Sequence, residues 1–139
     1  MGDFELNSNG GPGAHQPIVT LIGVVDDDES IRDALSSLVR SAGYQCAVFP
    51  SAEEFLASGP QETDCLVLDI RMPGLSGFEL HRRLRDLNRL VPVIFITGNA
   101  DDEMRERALT QGAAALFAKP FNDDALLGAI HSAVRSALG

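Results

Sequence analysis

The chain has 139 residues, 45% of them hydrophobic and 22% charged, and its 11 Lys and Arg against 20 Asp and Glu give a formal charge of −9. This length suits one domain that buries roughly two-thirds of its unfolded surface without a staple. No apolar run approaches the ~18 residues of a membrane span, and the acidic balance argues against direct binding of nucleic acid while suiting a site that gathers cations.

Residues 1–17 are rich in Gly, Asn and Pro without hydrophobic period and read as a flexible N-terminal tail, leaving 18–139 as the folded domain. Met1 to Glu5 lack the basic stretch and following apolar run of a secretory signal. Cys46 and Cys65 lie in strand-like segments without zinc or redox spacing, and are expected to be core thiols in a reducing cytoplasm.

Order begins with the apolar run Ile18 to Val25, which ends in Asp26-Asp27-Asp28-Glu29. Ile31, Ala34, Leu35, Leu38, Val39 and Ala42 then recur at helical spacing until Gly43, with Asp28 read as helix N-cap or solvated acid. Tyr44 to Phe49 is a second short strand, and Ser51-Ala52-Glu53-Glu54 has the spacing of a capping box opening a short helix. A loop through Gly59-Pro60 leads to Cys65–Leu68, continuously apolar and closed by Asp69 and a Pro73-Gly74 turn. Beyond Gly77 a helix carries Phe78, Leu80, Leu84 and Leu87, with His81, Arg82, Arg83 and Arg85 placed mostly on other faces. His15, His81 and His131 have no metal spacing and read as surface residues. Pro92 introduces a strand, Val93 to Ile96, that ends in Thr97-Gly98-Asn99. Asp101 to Gln111 is a polar helix with few anchors (Met104, Ala108, Leu109). A fifth strand, Ala115 to Ala118, meets Lys119-Pro120, and Asn122 opens a last helix. Five strands alternating with five helices predict an open, doubly wound parallel α/β sheet.

Asp26, Asp27, Asp69, Thr97 and Lys119 each follow an apolar strand, so in a parallel sheet they face one crevice. Two carboxylates about 4 Å apart repel by roughly 4 kcal/mol at an effective dielectric near 20, so Asp27 and Asp69 call for a cation. Lys119 supplies one charge, and the all-oxygen surroundings suit Mg²⁺ better than zinc. A carboxylate beside a metal, an ammonium and a hydroxyl is equipment for an aspartyl phosphate, with Asp69 as nucleophile and Thr97 donating to a phosphoryl oxygen.

The segments Val24-Val25-Asp26-Asp27-Asp28-Glu29, Leu68 to Gly77, Ile96-Thr97-Gly98 and Ala118-Lys119-Pro120-Phe121 resemble a CheY-like response-regulator receiver domain of flavodoxin-like (βα)5 fold. The wording is most similar to the FixJ and NodW branch, and the likeness covers about residues 18–138. It implies strand order 2-1-3-4-5, and a phosphoryl group accepted on Asp69 from a phosphohistidine of a sensor histidine kinase. It also implies Mg²⁺ held by Asp27, Asp69 and the backbone carbonyl of Arg71, with Asp26 acting through water, and a cis peptide before Pro120. Lys119 and Thr97 would bind the phosphoryl group. An aromatic rotamer switch is general three residues before the lysine; Leu116 stands there, and Phe117 is expected on the opposite face.

The expected function is two-component signal transduction through an output domain or protein partner, with transcriptional control as the expected output, without turnover and without membrane association. A homodimer through the fourth helix and fifth strand is a further expectation. The alternatives are a stand-alone receiver acting as phosphate shuttle or sink, or an aspartyl-nucleophile phosphatase, which would want an acid where Arg71 stands.

Overall fold

The computed structural model describes residues 20–58 and 62–138, so the expected tail, Ile18, His15 and the Gly59-Pro60 loop lie outside the described residues. The elements are β1 (Leu21–Val25), α1 (Glu29–Ser41), β2 (Gln45–Phe49), α2 (Ala52–Ser58), β3 (Cys65–Asp69), α3 (Gly77–Asp86), β4 (Val93–Thr97), α4 (Asp102–Thr110), β5 (Ala115–Ala118) and α5 (Asp123–Leu138). All four strand pairs are parallel, in the order β2-β1-β3-β4-β5.

The continuous apolar runs become central strands because both of their faces are covered. Every residue of β3 and β4 is buried, and alternate side chains divide between two cores. Val67, Ile94 and Ile96 pack with Leu35 and Val39 of α1 and Leu126 and Ile130 of α5. Leu66, Leu68 and Phe95 pack with Phe55 of α2, Phe78 and Leu84 of α3 and Ala108 of α4. Leu116 belongs to the second core and Phe117 to the first, the opposition that strand alternation requires.

The caps follow their residue types. Asp28 accepts from the Ser30 N–H at 2.8 Å as N-cap of α1, and Ser51 Oγ accepts from the Glu54 N–H at 3.1 Å. The reciprocal capping box is formed by Ser76 and Glu79 at the start of α3.

Four expectations need correction. His81 is buried at 8% exposure, because it lies three residues from both Phe78 and Leu84 on the inward stripe of α3. Leu109 is 76% exposed and does not anchor α4, whose inward position is taken by Ala108. Leu87 caps the end of α3 and is also exposed. Cys46 is half-buried on the edge strand β2, whereas Cys65 is a core thiol that burial pushes up to about 12.

Candidate functional site

The C-terminal ends of β1, β3, β4 and β5 carry five polar residues at one edge of the sheet. Asp26 and Asp27 directly follow β1, Asp69 ends β3, Thr97 ends β4 and Lys119 follows β5. Backbone bonds extend the pairing past the tips: Ile70 N–H donates to Ile96 O at 3.0 Å and Lys119 N–H to Thr97 O at 2.8 Å. The Lys119-Pro120 peptide is cis. Gly77 starts α3 hard against the strand, and a Cβ there would run into the Asp69 carbonyl oxygen.

Asp26 is the most tightly held of the three acids. Its N–H donates to Phe49 O at 3.1 Å, its carbonyl accepts from Arg32 Nη1 at 2.8 Å, and Oδ1 accepts from the Asp28 N–H at 2.9 Å. Oδ2 is buried, takes no well-angled hydrogen bond among the described residues, and is ion-paired with Lys119 Nζ at 3.0 Å. Lys119 is thus closer to Asp26 than to Asp69, whose Oδ2 lies at 3.6 Å. Asp27 is exposed.

Carboxylate oxygens of Asp26, Asp27 and Asp69 lie within 4.8 Å of one another. Three carboxylates against one ammonium leave two uncompensated negative charges. The strain registers on Asp69: burial first, then Asp26, push it up to about 7, against the pull of Lys119, while Asp27 raises it and an Arg71 backbone hydrogen bond lowers it. Burial also works against the Lys119 ammonium, but the pairs with Asp26 and Asp69 outweigh it and hold the lysine above its usual range. The donor set is all oxygen and, with all three acids ionised, short by two positive charges. These residues fit a hard divalent cation such as Mg²⁺.

Two positioning contacts were not legible in the sequence. Glu53 of α2 accepts from the Leu75 N–H at 2.9 Å and so fastens the loop after Asp69, and Arg32 of α1 holds the Asp26 carbonyl. Both are long side chains crossing between elements, a pairing that no local pattern encodes.

Comparison with known proteins is decisive at this point. The description "response regulator receiver domain" matches residues 22–131. The chain belongs to the response regulator receiver domain family. The receiver is 45% identical over 126 residues to nodulation protein W of Bradyrhizobium diazoefficiens, covering 88% of this chain and 56% of that protein. It is 44% identical over 119 residues to the response regulator protein TmoT of Ectopseudomonas mendocina, covering 85% of this chain and 54% of that protein. Among solved structures it resembles the response regulator StyR, with 42% identity and a TM-score of 0.78 over 84% of this chain and 60% of that one. The receiver therefore spans about half the length of the curated relatives it matches.

Within the receiver, Thr97 is fully buried and its Oγ1 receives the Asn99 N–H at a long 3.4 Å. Leu116 packs in the core that contains Ala108 of α4, and Phe117 faces α1 and α5. An aromatic group on the Thr97 side of β5 is thus absent at both positions. No helix among the described residues is long and apolar enough to cross a membrane.

Proposed function

We propose that this receiver accepts a phosphoryl group on Asp69 from the phosphohistidine of a sensor histidine kinase, in a Mg²⁺-dependent reaction. The observation that carries the reading is the gathering of three carboxylates within 4.8 Å around Asp69, with Lys119 Nζ 3.6 Å away. Asp27, Asp69 and the Arg71 carbonyl would hold the ion, with Asp26 acting through water because Lys119 and the Asp28 N–H already engage its oxygens. When bound, Mg²⁺ supplies positive charge to the equatorial phosphoryl oxygens.

The remaining chemistry belongs to the chain. An Asp69 carboxylate oxygen attacks phosphorus, an O–P bond forms, and the P–N bond of the donor breaks with its electron pair staying on the imidazole nitrogen, which then takes up a proton. Lys119 neutralises charge on the transferred group, and its existing pair with Asp26 preorganises the ammonium for that role. Thr97 donates its hydroxyl to a phosphoryl oxygen while its Oγ1 still accepts the Asn99 N–H, so the loop leading to α4 is drawn inward with it.

Output follows from this change of surface rather than from turnover, in the cytoplasm and as transcriptional control, a reading supported by the name of one relative, the transcriptional regulatory protein FixJ of Bradyrhizobium diazoefficiens. A homodimer through α4 and β5 is consistent with the exposed Leu109 beside a groove lined by Ala108, Ala113 and Leu116. Light scattering with and without beryllofluoride tests it, a mass that stays monomeric in both states sinking it. For the acceptor itself, acetyl phosphate with Mg²⁺ is expected to label wild type and leave Asp69→Asn unlabelled. Equal labelling of the variant overturns the assignment.

A further inference from the structure

Gln111, the C-cap of α4, reaches back to α3 with its side-chain amide. Nε2 lies 3.1 Å from Phe78 O and 3.0 Å from His81 Nδ1. A backbone carbonyl only accepts, so the amide nitrogen must face Phe78, and the second amide hydrogen is then directed at His81. His81 Nδ1 can serve as acceptor only when it carries no proton. The pair therefore requires a neutral imidazole with its hydrogen on Nε2. An imidazolium would set N–H against N–H, and turning the amide over would set Oε1 against Phe78 O. No orientation of Gln111 serves both neighbours once His81 is charged.

We propose that the His81–Gln111 pair is a proton-sensitive latch, which fastens the C-terminal end of α4 to α3 while His81 is neutral and releases it on protonation. α4 buries only Ala108 among its own residues, so polar bonds at its end carry a large share of its attachment. Arg85 of α3 adds a donor bond to Gln111 O, and the Arg107 guanidinium lies 4.3 Å from the Phe78 ring centre.

The groups facing His81 among the described residues offer it no counter-charge. Phe95 of β4 packs against the imidazole, the two rings steeply inclined with centres 5.5 Å apart. A cleft of about 720 Å³ borders His81 and opens to solvent; the charged groups lining it are Arg85 and Arg89, while α4 contributes Thr110 and Gln111, and α5 small uncharged residues. Burial first, then Arg85, hold His81 below the ordinary imidazole range. The cleft gives protons access, and the latch responds to them in the protein without phosphate or metal, so the inference does not depend on the role of Asp69.

The test is ¹⁵N NMR of the full chain from about pH 8 to pH 5, following the histidine ring nitrogens together with amide exchange in α4. Wild type is expected to show the Nε2–H tautomer of His81 and, after correction for intrinsic exchange, about a tenfold loss of α4 protection as His81 titrates, the equivalent of one pKa unit. Gln111→Leu is expected to raise the His81 pKa, and both it and His81→Phe to abolish the acid-dependent part of the loss. An Nδ1–H tautomer, or a His81 that titrates while α4 protection stays constant, overturns the latch.

Discussion

The strand-tip cluster and the His81–Gln111 cluster sit at different ends of the same fold and solve opposite problems. At the tips, Asp26, Asp27 and Asp69 are held together with one lysine and too much negative charge. Between α3 and α4, donors and acceptors are matched in number and the imidazole is kept uncharged. The first arrangement sacrifices stability to leave a charge deficit that a cation and a phosphoryl group can use; the second uses complementary hydrogen bonding to hold a poorly anchored helix. They also answer pH with opposite signs. Asp69 has a folded pKa near 7, above its unfolded value, so its contribution is full at low pH and is lost as pH rises through 7. His81 has a depressed folded pKa, so its contribution is full above the unfolded value near 6.5 and falls as pH drops below it.

The largest expected effect lies at the tips. Asp69→Asn should stabilise the metal-free protein by about 2–4 kcal/mol above pH 7, a three-unit shift discounted for partial solvent screening. The gain should shrink toward zero near pH 4. Urea unfolding at several pH values measures it, and a pH-independent gain would mean that charge is not its source. Mg²⁺ at about a hundred times its Kd should add about 2.7 kcal/mol to wild type, and that increment should be largely lost in Asp27→Asn. Thermal melts with and without the ion provide the check.

At the second cluster, Gln111→Leu removes the side-chain donor to Phe78 O and leaves buried His81 Nδ1 without its Gln111 donor, and should cost about 1–2 kcal/mol at pH 7.5. Asp101→Ala, removing the α4 N-cap that accepts from the Met104 N–H at 2.8 Å, should cost about 1 kcal/mol. The smallest effect is expected for Leu109→Ala, within about 0.5 kcal/mol because that side chain is solvent-exposed. A cost above 2 kcal/mol there would show that α4 is held by apolar packing after all, and would erase the contrast.

The strand-tip cluster was the more legible of the two. Apolar runs that end abruptly in Asp26 and Asp69, in Thr97 and in Lys119 give strand direction and tip position together, and parallel topology then forces convergence. The division of labour between Asp26 and Asp27 was less accessible, because adjacent acids at a strand end carry no periodic signal for which one turns inward. Here the Asp28 N–H, Arg32 and Lys119 settle Asp26 in the interior.

The His81 cluster was hidden by composition. His81 stands beside Arg82 and Arg83, which suggests a solvated face, and only its spacing of three from Phe78 and from Leu84 signals the core. Gln111 looked like the tail of a polar helix. Its partners are 30 and 33 residues away, a pairing that no local pattern encodes.

The central claim is that Asp69 is the phosphoacceptor, and reductive trapping tests it most directly. Wild-type protein is incubated with acetyl phosphate and Mg²⁺, treated with borohydride, and mapped by peptide mass spectrometry. The account predicts homoserine at position 69, formed only when Mg²⁺ is present. Unmodified Asp69 together with a stable phosphoryl group on another residue would contradict it.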